Sequence, residues 1–195
     1  MKLKIQPRYL EVHKGHDGLL RGKPEPAVVL CVLGEAGDGM KVLAKETLRF
    51  RLGGELPGRA ELETARTLRV ERIRSEGQLV LLTAGIEEDS GEGIGQVCAA
   101  FEFPDRVQVL TQDQRLVQLG DRRELETNLN SGVAETLAAV FFEGREMTEL
   151  CRGDDWVGCS VLRLVGLKGP LPAQRFNVTS EHNHWTLIVD VFAQR

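Results

Sequence analysis

Short stretches in which apolar and polar positions alternate, each closed by Gly, Pro or Asp, run the length of the chain, and that spacing predicts β-strands. From Lys45 to Leu52, the residues Leu48, Phe50 and Leu52 fall on one face and Thr47, Arg49 and Arg51 on the other, as in a strand half-sunk in a core. Thr67 to Arg74 repeats the pattern with Leu68 and Val70 inward, while Ala27–Leu33 and Leu79–Leu82 are apolar throughout. Trp185–Phe192 carries apolar residues on both faces, which predicts a strand inside a sheet. Tyr9–His13, Val97–Phe103, Val107–Leu110, Thr136–Phe142 and Val161–Val165 are further strand candidates, with 136–142 reading as a central strand. Together they predict an all-β fold, an antiparallel β-sandwich of about eight strands.

Two segments depart from that rhythm. Ile86 to Gly95 is polar and glycine-rich and predicts a flexible loop. In 114–129, Leu116, Leu119 and Leu125 support a short helix, but Gly120 interrupts the period. Gly166 to Pro172 resembles a linker and is too short to separate domains, so residues 1–195 are expected to form a single domain.

The 195 residues include 42% hydrophobic and 28% charged side chains, enough apolar material for a substantial core. A net charge of −4 argues against a general nucleic-acid binder, which needs a concentrated excess of Lys and Arg. Arg66, Arg69, Arg72 and Arg74 do cluster, but Glu61, Glu63, Glu71 and Glu76 interleave them, the mark of a solvated mixed-charge face. With no secretory pattern at the N-terminus and no long apolar span, a cytoplasmic protein is expected. Cys31, Cys98, Cys151 and Cys159 are widely spread and read as reduced, mostly buried thiols.

Reaction chemistry finds little footing. The chain has no Gly-x-Ser-x-Gly elbow, and Ser131 and Ser160 have no recognisable partners. His182 and His184, or His13 and His16 with Cys151 and Cys159, fall short of four-ligand metal spacing, and 181–184 reads as a polar turn before the last strand. Gly91-Glu92-Gly93-Ile94-Gly95 lacks both the Lys-Ser/Thr ending and the following helix of a phosphate loop. An enzyme is therefore not expected.

Two short segments carry a family resemblance. In the first, Asp17, Gly22 and Glu25-Pro26 precede the apolar run from Ala27; in the second, Asp154-Asp155-Trp156-Val157-Gly158 leads into another strand. Both are similar to loops of C2 domains, where an acid and Asp-Pro open one strand and an acidic-aromatic-aliphatic-Gly sequence closes the third loop. The resemblance implies a C2-like β-sandwich. It also implies that, if calcium binds, Asp17, Glu25, Asp154 and Asp155 are the ligands, since that cation takes six to eight oxygens. The expected pair of upstream aspartates is replaced by Glu143, Glu146 and Glu149, with Arg145 and Arg152 beside them. That departure shifts the expectation to a calcium-independent module with no cofactor. Its partner is a protein or a second copy of the chain, met through loops and sheet edges, with Leu19, Leu20 and Trp156 as candidate contact residues. Membrane contact through Leu19-Leu20 is weaker, because Lys14, Arg21 and Lys23 are partly cancelled by Asp17 and Glu25.

Overall fold

The structure, a computed structural model, describes residues 2–15, 24–37, 39–71, 73, 78–111, 114–128, 134–137, 139–164 and 169–194. Strand accounts for 62% of it and helix for 12%, so the fold is all-β. In chain order the strands are β1 (Lys2–Lys14), β2 (Pro26–Ala36), β3 (Gly39–Leu52), β4 (Gly58–Leu62), β5 (Leu68–Val70) and β6 (Leu79–Glu87). Helix α1 (Gly93–Ala100) follows, then β7 (Val107–Leu110), β8 (Leu116–Gln118) and helix α2 (Arg122–Asn128). The rest are β9 (Ala134–Leu137), β10 (Ala139–Phe142), β11 (Arg145–Glu146), β12 (Asp155–Leu164), β13 (Leu171–Thr179) and β14 (His184–Gln194).

Ten strands form one antiparallel sheet in the order β13-β14-β1-β4-β3-β2-β6-β12-β9, with β5 also on β1; β11-β10-β7-β8 form a second, smaller one. The large sheet curls until its ends approach, so it is barrel-like and not a clear sandwich. Register shifts at Pro7/Tyr9 and Val12/Lys14 in β1, Trp156/Gly158 in β12 and Leu171/Gln174 in β13 supply the bending. Where β13 reaches β12, Gly158 (φ +151°) lies so close to Thr179 that a Cβ would meet its carbonyl oxygen at 2.6 Å. Only glycine permits that approach.

Each strand of the β2-β6-β12 panel is apolar on both faces because each face has its own core. Val28, Leu30, Leu81 and Leu162 point into the barrel with Phe50, Phe176 and Trp185. Val29, Cys31, Val80, Leu82 and Val161 point outward, under a cover made by α1, α2 and the small sheet through Val97, Phe101, Val109, Leu125 and Val140. The alternation expected in β3 holds, with Leu48, Phe50 and Leu52 buried, and β14 lies between β13 and β1 as its two apolar faces require.

Several elements differ from expectation. Val97–Phe103 is not a strand: α1 places Ile94, Val97 and Ala100 one helical turn apart, all buried, with Phe101 beside them. Thr136–Phe142 is not one central strand but parts of two, β9 at the end of the large sheet and β10 inside the small one. In 114–129 both elements occur, β8 and then α2, whose first turn is capped by Asp121 accepting N–H bonds from Arg123 and Glu124. β4 and the whole of β13 are strands that the hydrophobic pattern does not predict, and the linker-like reading of 166–172 runs into the start of β13. No helix among the described residues is long and apolar enough to cross a membrane.

Candidate functional site

At one end of the shared panel, Pro26, Glu87 and Asp155 are aligned across β2, β6 and β12. The Glu25 N–H donates to Glu87 Oε1 at 3.0 Å, and the Glu88 N–H donates to the Glu25 carbonyl at 3.1 Å. The chain then turns through Asp89-Ser90-Gly91-Glu92 into α1. Asp154, placed just before β12, fills this turn. Its Oδ1 accepts the N–H groups of Asp89, Ser90 and Gly91 and the Ser90 hydroxyl, and its Oδ2 accepts the Gly93 N–H at 2.7 Å. Gly93 makes room for it, since a Cβ there would lie 2.9 Å from Oδ2 and 2.4 Å from the Cys151 carbonyl oxygen.

Burial alone would raise the Asp154 pKa. The amides of Ser90 and Gly93, the Ser90 hydroxyl and the Asp89 amide outweigh burial and hold the carboxyl below its usual range. The glycine-rich segment thus has a helix after it, and its N-terminal amides hold an anion that belongs to the chain itself. The flexible loop expected over 86–95 is instead the end of β6, a clamped turn and the start of α1.

Glu87, Asp89 and Asp155 each bring one carboxylate oxygen within 4.8 Å of the others, Glu87 buried and the other two exposed. Of the acids proposed from sequence, Asp155 joins this group, Asp154 is committed to the turn, and Glu25 contributes its main-chain N–H. Asp17, Leu19 and Leu20 lie outside the described residues. Glu87 and Asp89 were not among the sequence candidates, although Glu87-Glu88-Asp89 stands out as an acidic run. Three carboxylates are a partial shell for a cation that takes six to eight oxygens. Trp156 is half-buried and packs against the outer core.

Beside the turn lies an open cleft of about 590 Å³ with Pro24, Pro26, Phe50 and Leu52 among its apolar lining. Arg49 spans it, donating from Nε and Nη2 to the two oxygens of Glu88 at 2.8 and 2.9 Å. That hydrogen-bonded pair raises the Arg49 pKa. Arg51, whose side chain is 81% exposed, extends from the rim 3.4 Å from Glu63.

Nucleophiles are poorly placed. Burial pushes the Cys31 and Cys151 thiols up to about 12 and raises Cys159 further, which keeps them protonated. The rings of His13 and His184 lie tilted against each other across β1 and β14, centroids 4.7 Å apart, and the His13 Nε2 is 3.1 Å from the Thr186 hydroxyl. Burial, and then the proximity of His13, lowers the His184 pKa. No family model matches the chain, and a search of curated proteins finds no match.

Proposed function

We propose that this chain is a non-enzymatic binding or assembly module acting in the cytoplasm, and that it engages a protein partner or a second copy of itself. The supporting observation is the preformed end of the barrel, where a loop fixed by Asp154 stands beside the braced Arg49–Glu88 pair. A surface ordered before contact loses little conformational freedom on binding, which favours recognition. Its mixed charges and apolar lining suit a protein surface better than a uniformly charged polymer. The small sheet adds a second docking element, since β8 is a terminal strand and carries the exposed Leu116.

A photo-crosslinking residue at Arg51, in the cells that make the protein, tests this reading, with the same residue at Arg69 as control. A discrete protein adduct from position 51 and none from position 69 is expected. Absence of an adduct from position 51, together with a monomer mass of 21.6 kDa by light scattering, would overturn it. The acid trio favours a second reading, calcium binding at the same end. Its signature is a calcium-dependent rise in melting temperature that Asp155→Asn removes.

A further inference from the structure

On the outer face of the large sheet, two histidines from opposite ends of the chain meet across β1 and β14. Their neighbours Val12 and Trp185 are buried in the barrel core, whereas His13 and His184 are both exposed. The register shift between Val12 and Lys14 leaves His13 as the extra residue of a bulge, an irregularity that re-aims a side chain. Here it brings the ring beside its counterpart on β14, with the ring centres 4.7 Å apart.

Hydrogen bonding fixes the tautomer of His13. The Thr186 hydroxyl donates to Asn177 Oδ1 at 2.8 Å, so its oxygen is left to accept, and the donor 3.1 Å away is the His13 Nε2–H. Glu11, itself paired with Arg175, places a carboxylate oxygen 3.6 Å from the same nitrogen and favours the hydrogen there. A neutral ring with its hydrogen on Nε2 carries its lone pair on Nδ1. Neither that nitrogen nor either nitrogen of His184 has a hydrogen-bond partner among the described residues. An imidazole with one nitrogen anchored to an oxygen and the other bare is how proteins present histidine to a metal. Two imidazoles sharing one ion, each nitrogen about 2.0–2.1 Å from it, hold their ring centres about 4.5–5.2 Å apart as the angle at the metal goes from right to tetrahedral. The observed separation falls inside that window. Imidazole nitrogen suits zinc, nickel and copper, whereas calcium and magnesium take oxygen.

We propose that His13 and His184 form a two-imidazole site for a divalent transition ion of the zinc, nickel and copper class, with His13 bound through Nδ1 and water completing the coordination. Thr186 and Glu11 act as positioning residues, holding the His13 ring by its Nε2–H. The site shares no residue with the Arg51 cleft or with the Glu87–Asp89–Asp155 trio, so it stands or falls separately from the function proposed above.

The test titrates the untagged, isotope-labelled full chain with zinc chloride and, separately, with calcium chloride, and follows the histidine ring nitrogens by NMR. The buffer is held about one unit above the ordinary imidazole pKa of about 6.5, since only the neutral ring ligates. Zinc should give saturable shifts at His13 Nδ1 and at one nitrogen of His184, with the hydrogen retained on His13 Nε2, and calcium should shift neither ring. His13→Gln and His184→Gln should each weaken zinc binding at least about tenfold, because losing even a ligand's outer hydrogen-bond partner costs about 10–100-fold. His182→Gln should leave binding unchanged. No saturable shift up to millimolar zinc, coordination through His13 Nε2, or an equal response to calcium overturns the proposal. So does undiminished binding in His13→Gln or His184→Gln, or loss of binding in His182→Gln. Should a variant fail to fold, the wild-type nitrogen shifts still decide.

Discussion

A single carboxylate, that of Asp154, satisfies four main-chain N–H groups at the turn into α1. Replacing it by Asn keeps the shape but sets an NH2 group against N–H donors. Asp154→Asn should cost about 1–3 kcal/mol in urea unfolding, the range for buried donors left without an acceptor. The pH dependence has a definite sign. Because the folded-state pKa is depressed, the contribution is complete above the ordinary value of about 3.9 and is lost as pH falls through the lower folded value. The stability gap between wild type and variant should therefore be flat near neutrality and shrink in strong acid. Sequence reading singled out Asp154 as a cation ligand, and its acidity was legible there. Its partners, 61 to 65 residues earlier in the chain, were not, because only the pairing of β6 with β12 brings them together.

Among the elements, α1 shows how two readings competed. Val97 and Phe101 favour a strand by propensity, while the spacing of Ile94, Val97, Ala100 and Phe101 is helical, and burial under the outer core decided for the spacing. Its two glycines should respond in opposite ways. Gly93→Ala forces a methyl against the Cys151 carbonyl and the Asp154 carboxylate and should cost about 2–3 kcal/mol. Gly95, exposed with open space around its Cα, should gain about 0.5–1 kcal/mol as Ala through helix propensity. Thermal unfolding of the pair checks both, and destabilisation by Gly95→Ala would contradict this account of the helix. The strands that were legible, such as β3 and β14, have faces that differ in polarity or sit between partners. β13 is illegible along its whole length because its buried Phe176 and Val178 lie among exposed or half-exposed residues.

For the whole molecule, the controlling fact is one three-strand panel serving two cores. Barrel closure was not written in any local pattern, since it depends on bulges and on β13 meeting β12 across the chain. Leu81 faces the barrel and its neighbour Leu82 the outer core, so Leu81→Ala and Leu82→Ala should each cost about 2–5 kcal/mol. Both variants should unfold in a single calorimetric transition, because neither core survives loss of the wall. Two resolved transitions would show that cover and barrel unfold apart. The same panel lacks the usual guard against sliding. In most sheets a one-residue slip throws greasy side chains into water, but here it trades the Leu79–Leu81 set for the Val80–Leu82 set, with an apolar layer waiting on either side. Alignment must then be read from steric notches, at Gly85, where a Cβ would sit 2.9 Å from Val178, and at Gly158 against Thr179. The panel is indexed by where it is thin, as a key is by its cuts.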